Sequence, residues 1–119
     1  MRIRSCRDLE VWQLSMDLAL AVYDCTDLFP RYEQYGLTAQ IRRAVVSIPS
    51  NIAEGQGRAQ PGEFLNSLSV ARGSLQELET QLMIAQRRRY LTAARLESLL
   101  ETTDHVSRML TSLRNSISP

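Results

Sequence analysis

The chain has 119 residues, a length typical of one domain, and 44% of them are hydrophobic, as in an ordinary globular protein. Aromatic residues make up only 6%, which favours packed helices over a β-sandwich. The formal net charge is +1, although all 14 basic residues are Arg, so no overall basic field indicates a nucleic-acid partner. We therefore expect a single domain over residues 1–119.

The first predicted helix covers residues 8–26, with Asp8 as its N-cap. Apolar residues recur at spacings of 3, 4, 3 and 4 and predict its buried face, which is Leu9, Trp12, Met16, Ala19 and Tyr23. The helix ends before Phe29-Pro30, because a proline biases the preceding residue away from the α region. A loop through Tyr35-Gly36 follows.

The second predicted helix covers residues 38–56, and its apolar face is Ile41, Val45, Ile48 and Ile52. Pro49 lies inside this pattern and removes one backbone hydrogen bond, so it either kinks the helix or divides it into two. We favour the kink, because the apolar face keeps its register through Ile52. Gly55 and Gly57 are expected to end the helix.

The third and fourth helices are predicted over residues 61–88 and 92–117, with Pro61 at the first position of one and Thr92 as N-cap of the other. A heptad repeat marks the third helix at Phe64, Leu68, Ala71, Leu75, Leu78, Leu82 and Ala85. The same spacing marks the fourth at Leu96, Leu99, Thr103, Val106, Leu110, Leu113 and Ile117. Short connections between four amphipathic helices predict an all-α, antiparallel up-down-up-down four-helix bundle.

Gly73 lies in the middle of the third helix, outside the heptad positions. A glycine there costs about 1 kcal/mol relative to alanine. The sequence therefore predicts that another backbone approaches closely at Gly73.

The residue types exclude the usual helical metal and catalytic sites. A di-iron bundle needs Glu-x-x-His on two helices, whereas the only histidine, His105, follows Thr102 at that spacing. One histidine and two distant cysteines make no zinc set, and no nucleophile is paired with a base. We expect no metal, no cofactor, no catalytic residues and no enzymatic activity. A cleft with shifted carboxylate pKa values around Glu54 and Glu77 would instead favour the hypothesis that the protein is an enzyme.

The two cysteines and the lack of targeting patterns indicate a location. Cys6 and Cys25 would lie about 28 Å apart along a helix, too far for a disulfide, so we expect reduced thiols. The sequence carries neither an apolar run of about 18 residues nor a signal-peptide pattern. We expect a cytoplasmic protein that does not span a membrane.

Polar residues form stripes beside the apolar faces of the second and third helices. These stripes could hydrogen-bond to each other within the helix pair, contact a partner subunit, or face solvent with pairs such as Glu54 and Arg58. The candidate interface residues are Gln40, Ser47, Asn51, Glu54, Glu77 and Gln81.

Arginines on the same two helices are candidates for phosphate contact with RNA or DNA, because the guanidinium group suits phosphate. They are Arg42, Arg43, Arg58 and Arg72. Arg87, Arg88 and Arg89 close the third helix, where positive charge complements the helix dipole. No aromatic residues interleave with the arginines of these helices, so stacking of unpaired bases is not expected.

Several motifs resemble the four-helix bundle proteins encoded by intervening sequences in bacterial 23S ribosomal RNA genes. They are Arg7–Gln13, Phe29-Pro30, Tyr35–Thr38, Ala71–Leu82 and the second-helix motif with Ser47, Pro49, Asn51, Glu54, Gly55 and Arg58. The resemblance implies an antiparallel four-helix bundle that assembles as a homopentamer, with no catalytic residues. It also implies a relation to the accessory variability determinant proteins of diversity-generating retroelements, which bind nucleic acid and a reverse transcriptase. Those proteins are strongly basic, whereas this chain is nearly neutral.

Two functions follow as hypotheses. The leading one is a non-enzymatic oligomeric bundle that contacts RNA or DNA phosphates through the four arginines. The alternative is a protein-interaction module without nucleic-acid binding, in which the second-helix stripe builds the subunit interface or docks another protein. Salt dependence separates the two, because phosphate contacts weaken steeply with salt and a packed helix interface does not.

Overall fold

The computed structural model describes residues 9–58 and 60–117, and within them the chain is helical with no strand. Four α-helices and one short 3₁₀ helix, Arg31–Glu33, follow in order. The α-helices are α1 (Glu10–Thr26), α2 (Leu37–Gln56), α3 (Pro61–Arg87) and α4 (Ala93–Ile117). The all-α prediction is confirmed, and the predicted helix bounds agree within two residues.

The helices pack around a shared core. Helix α1 packs against α2 and α4, and α3 also packs against α2 and α4, with the α2–α3 pair forming the most extensive contact. Fully buried side chains come from all four helices, among them Leu18 and Val22 of α1, Ile41 and Ile48 of α2, Leu78 and Leu82 of α3, and Val106 of α4. This packing is that of a helix bundle. The up-down order of the helices stays a prediction.

The predicted apolar faces of three helices are confirmed. Ile41, Val45, Ile48 and Ile52 are each 0% exposed on α2. The heptad residues of α3 are buried except Phe64, which is partly buried against the core. On α4, Leu99, Thr103, Val106 and Leu110 are buried. A spacing of three and four residues therefore located these core positions correctly.

The predicted face of α1 is partly wrong: Leu9 is buried and Trp12 and Ala19 pack against the core, but Met16 and Tyr23 do not belong to the buried face. Met16 and Tyr23 are 39% and 38% exposed, and the buried residues are Val11, Ser15, Leu18, Val22, Cys25 and Thr26. Ser15 takes a core position because its hydroxyl donates to the Val11 carbonyl oxygen at 2.7 Å, which satisfies its polar group inside its own helix. A pattern read from apolar residues alone cannot recognise such a position.

Two predicted features at the start of the chain, the Asp8 cap and the Cys6 thiol, lie outside the described residues. Helix α1 begins at Glu10, with Leu9 at its N-cap position. Cys25 is a buried free thiol, and burial raises its pKa above the ordinary value.

The residues that the sequence predicted at the boundaries of α2, α3 and α4 are found there. Helix α2 is continuous through Pro49, so it is not divided into two, and its kink stays a prediction. Gly57 is the C-cap of α2 and Pro61 opens α3. The Thr92 hydroxyl oxygen accepts a hydrogen bond from the Arg95 backbone N–H at 3.1 Å, which confirms it as the cap of α4.

The tight approach of α2 to α3 occurs at Gly55. A Cβ atom added there would lie 2.6 Å from Ser67 Cβ and 3.0 Å from Phe64 Cδ1. Glycine thus allows the end of α2 to pack directly on the first turns of α3. The close approach predicted at Gly73 is not found among the described residues, because an added Cβ there would meet nothing within 4 Å.

Candidate interaction surfaces

The polar stripes of α2 and α3 meet at Ser47 and Ser74, whose Oγ atoms are 2.8 Å apart. The Asn51 side-chain amide donates to the Ser47 carbonyl oxygen at 2.8 Å and to the Ser47 hydroxyl at 2.9 Å. Of the alternatives for these stripes, hydrogen bonding across the helix pair therefore describes Ser47, whereas Asn51 bonds within α2.

The other candidate interface residues have different surroundings. Glu54 is exposed and pairs with Arg58 at 2.8 Å, one helical turn away, as in the solvent-facing alternative. Gln40 and Glu77 are exposed. Gln81 is only 8% exposed, and its Oε1 has no hydrogen-bond partner among the described residues. The six predicted residues therefore do not form a single cluster.

Helix α3 carries an exposed face that joins Gly73 and Glu77, both considered in the sequence analysis, to two apolar residues that were not. Val70, Gly73, Glu77 and Ile84 recur at spacings of 3, 4 and 7, which places them on one side of the helix. Val70 and Ile84 are each 47% exposed. We call these four residues the outer α3 face. They lie outside the heptad positions that fill the core, and about half of the surface of Val70 and of Ile84 is open to solvent.

The four candidate phosphate-binding arginines are dispersed. Arg42 forms an ion pair with Asp27 at 2.7 Å, donates to the Thr26 hydroxyl at 2.9 Å, and lies over the Tyr23 ring at 4.5 Å. Arg42 therefore contacts α1 and the residue after it.

The remaining three arginines have different surroundings. Arg58 is held by Glu54, and Arg72 donates to the Ser107 carbonyl oxygen at 3.3 Å and to the Thr111 hydroxyl on α4. Arg43 is exposed and has no hydrogen bond or ion pair in the described part of the chain. The structure does not bring the four arginines together.

The connection between α1 and α2 contacts the connection between α3 and α4. The Tyr90 ring centre lies 5.4 Å from that of Phe29 and 6.4 Å from that of Tyr32. The Tyr90 hydroxyl donates to Glu33 Oε2 at 2.8 Å. Glu33 Oε1 in turn accepts the Leu37 backbone N–H at 3.0 Å, so one carboxylate joins both connections to the start of α2.

The arginines that end α3 stand beside these aromatic rings. The Arg88 guanidinium carbon lies 5.6 Å from the Tyr90 ring centre, and Arg88 Nε donates to the Tyr90 hydroxyl at 3.4 Å. The expectation that aromatic residues stay apart from the arginines is therefore wrong for this end of α3. Sequence offered one signal, the adjacency of Arg89 and Tyr90. The approach of Tyr32, 58 residues away from Tyr90, needs the tertiary fold.

Potential metal ligands are scattered among the described residues. No three His, Cys, Asp or Glu side chains among them could hold a metal ion together. His105 lines an open groove of about 730 Å³ between the start of α1 and the second half of α4, but it forms no hydrogen bond with Ser112 or Ser116 in that groove. No helix in this part of the chain is long and apolar enough to cross a membrane.

Comparison with known proteins gives a family and a fold. The model of the 23S rRNA-intervening sequence protein family matches residues 7–112. A similar solved structure is a protein of unknown function from the S23 ribosomal protein family of Bacteroides thetaiotaomicron VPI-5482. It is 24% identical, the match covers 88% of this chain and 95% of that one, and the TM-score is 0.81. This likeness shows the fold alone. No curated protein matches the chain.

Proposed function

The chain belongs to the 23S rRNA-intervening sequence protein family, and from that premise we propose that it is a non-enzymatic helical scaffold that self-associates through the outer α3 face. The observation that carries the proposal is Gly73, an exposed glycine in the middle of a 27-residue helix. The homopentamer implied by the family resemblance is one form that such an assembly takes.

Gly55 and Gly73 both lie within helices, but only Gly55 is packed tightly against a neighbouring helix. Gly55 is buried, and its missing side chain makes room for Phe64 and Ser67. A glycine at position 73 makes the helix about 1 kcal/mol less stable than an alanine would. No described residue occupies the space that an alanine side chain would fill there. A second copy packed on α3 fills that space, because a glycine lets a neighbouring backbone approach closely.

The surroundings of Gly73 suit a helix from another copy. Val70 and Ile84 lie on the same side of α3, and their exposed apolar surface would be removed from water in an assembly. Ser47 of α2 bonds to Ser74, the neighbour of Gly73, so α2 flanks this side of α3. We therefore place the exposed Gln40 and Glu54 of the predicted interface at the polar rim, around an apolar centre.

The test uses two glycines of α3 that are both open to solvent. An added Cβ meets nothing within 4 Å at Gly62 or at Gly73. Gly73→Gln and Gly62→Gln make the same chemical change, but only the first places a long side chain between Val70 and Glu77. Gly62 lies in the first turn of α3, eight residues or about 12 Å before Val70. We expect light scattering after size-exclusion chromatography to give the wild-type molar mass for Gly62→Gln and a reduced mass for Gly73→Gln.

The outcomes separate self-association from its alternatives. An unchanged oligomer in Gly73→Gln would remove the outer α3 face from the interface. A wild-type chain that is monomeric throughout would contradict the scaffold and favour the docking of a different protein on the polar stripe of α2. Circular dichroism of both variants checks that their helical content is retained.

Nucleic-acid binding through Arg42, Arg43, Arg58 and Arg72 is a second candidate function. The observation that favours it is the exposure of Arg43, together with the exposed ion pair of Arg58 with Glu54, which yields readily to phosphate because surface ion pairs contribute little. Reversing the charge of all four should weaken the binding of double-stranded RNA at low salt, because these arginines would contact phosphates alone. Undiminished affinity in that variant would reject these residues as the contact site.

A further inference from the structure

The C-terminus of α3 has an unusual residue at its turn. Arg89 has φ 66°, a left-handed conformation that is normally taken by glycine. The Tyr90 N–H bonds to the Ala85 carbonyl oxygen at 2.9 Å, and the Arg89 N–H bonds to that of Gln86 at 2.9 Å. These two bonds define a Schellman turn, in which glycine is the usual residue at the position that Arg89 occupies.

An arginine in this position lowers stability relative to glycine, because its Cβ is crowded in the left-handed region. Such local strain concentrates at functional sites, where the side chain is needed for something other than folding. The side chain in question is a cation that follows Arg87 and Arg88 and precedes Tyr90. The chemistry around it indicates what it contacts.

We propose that this end of the bundle is a binding site for single-stranded nucleic acid, formed by Arg87, Arg88 and Arg89 together with Arg31, Tyr32 and Tyr35. We call these six residues the end patch. The inference is independent of self-association, and it uses none of the four arginines of α2 and α3 considered above.

The charge of the end patch favours a polyanion. Its four arginines are all exposed. Among the described residues, none of the four forms an ion pair with a carboxylate. The Glu33 carboxylate interacts electrostatically with Arg88, while it also accepts the Leu37 N–H and the Tyr90 hydroxyl. The guanidinium groups of Arg31, Arg87 and Arg89 therefore stay open to phosphate oxygens, which suit them.

The aromatic residues favour unpaired bases over a duplex. Tyr32 is 74% exposed and Tyr35 is 91% exposed, so most of each ring is open to a planar partner. Tyr32 meets Tyr90 edge-on, with an interplanar angle of 74°, and this contact holds its ring beside Arg88, which lies over the Tyr90 ring. Proteins that bind single strands combine these two elements, a basic surface for the backbone and aromatic rings for successive bases.

Competing ligands fit the patch less well. A duplex keeps its base faces within its own stack, so exposed tyrosines would contribute nothing to its binding. An acidic peptide matches the charge but offers no planar groups for two open rings. RNA and DNA single strands share the phosphate and base chemistry, and the 2′-hydroxyl is what distinguishes them.

The first experiment measures fluorescence anisotropy with labelled RNA and DNA strands of about 12 nucleotides, a length within the range that single-strand binding domains cover. A duplex of the same sequence and a poly-glutamate competitor are included. We expect both single strands to bind more tightly than the duplex, and Tyr32→Ala to weaken them about tenfold. Tyr32→Phe keeps the ring and should keep the affinity, although it loses the hydroxyl.

The second experiment uses the strained residue. Arg89→Gly should raise the melting temperature by about 4 °C, because glycine relieves the left-handed strain, and should still weaken single-strand binding. The slope of log affinity against log salt should fall by about 0.7 for the lost phosphate contact. The control is Arg114→Ala, which also removes one positive charge from an exposed site. Arg114 lies near the other end of α4, about 28 Å along the helix from Arg95 in its first turn.

Each outcome decides the proposal. Equal binding of RNA and DNA strands supports the proposed site. Tighter binding of RNA than of DNA also supports it, and adds a contact with the 2′-hydroxyl. Equal affinity for duplex and single strand, or full affinity in Tyr32→Ala, would refute the role of the tyrosines. Competition by poly-glutamate as strong as by RNA would assign the patch to an acidic protein. An Arg89→Gly variant that is stabilised and binds normally would leave the strained arginine without this role.

Discussion

At the residue scale, Gly55 controls how closely α2 and α3 pack. Gly55→Ala would place a methyl group 2.6 Å from Ser67 Cβ, and the helices must separate to admit it. We expect the free energy of unfolding in urea to fall by about 1–3 kcal/mol. Gly57→Ala is the matched control, since its Cβ would lie at an ordinary 3.6 Å from the nearest atoms. Equal stability of the two variants would show that the approach at Gly55 is not tight.

Glu33 is the carboxylate that links both interhelical connections. The Leu37 N–H, and secondarily the Tyr90 hydroxyl, stabilise its charged form and hold its pKa below the ordinary value. A lowered pKa in the folded state gives stability that is present above the unfolded value of about 4.3 and is lost as the pH falls through the folded value. The melting temperature of wild type should exceed that of Glu33→Gln at neutral pH, and the difference should shrink below about pH 4. A difference that stays constant down to acidic pH would contradict this role.

Single residues also show where sequence reasoning stopped. The buried hydroxyls of Ser15 and Thr26 bond to carbonyl oxygens of their own helix, so polar residues occupy core positions of α1. Met16 and Leu20 are apolar, yet they are exposed. An assignment by residue type alone would bury Met16 and Leu20 and expose Ser15 and Thr26. The hydrogen bond that satisfies a buried hydroxyl is not visible in a sequence.

At the element scale, the start of α4 depends on its cap. The Thr92 hydroxyl satisfies the Arg95 N–H, one of the first N–H groups of the helix, which have no partner within it. Thr92→Ala should lower the free energy of unfolding by about 1 kcal/mol, and Thr92→Ser should restore most of it. Chemical denaturation of the three proteins measures both effects. A loss that serine does not recover would assign the role of Thr92 to its methyl group.

Helices differed in how well the sequence predicted them. The heptads of α3 and α4 were predicted correctly because each repeats over several turns, so a shift of face would conflict with many residues at once. The candidate site was predicted poorly for a related reason. A helical pattern fixes which residues share a face, but it does not say which neighbouring element that face meets. Arg42 met α1 and Arg72 met α4, so a cluster predicted along α2 and α3 was divided between different contacts.

At the scale of the whole molecule, the two proposed surfaces have different chemistry and different positions. The outer α3 face is largely apolar and contains a glycine with open space around it. The end patch combines exposed arginines with exposed tyrosines where the two interhelical connections meet. Assembly through the first would repeat the second on every copy. Binding to a long single strand would then gain from multivalency, without any new contact within one chain.

The measurement that tests the scaffold most directly is the molar mass of the wild-type protein by light scattering, over a range of concentrations at low and at raised salt. We expect a stable multiple of the 13.5 kDa chain at both salts, because an apolar helix face does not dissociate when charges are screened. A mass of one chain at every concentration would contradict self-association, and with it the role assigned to the outer α3 face.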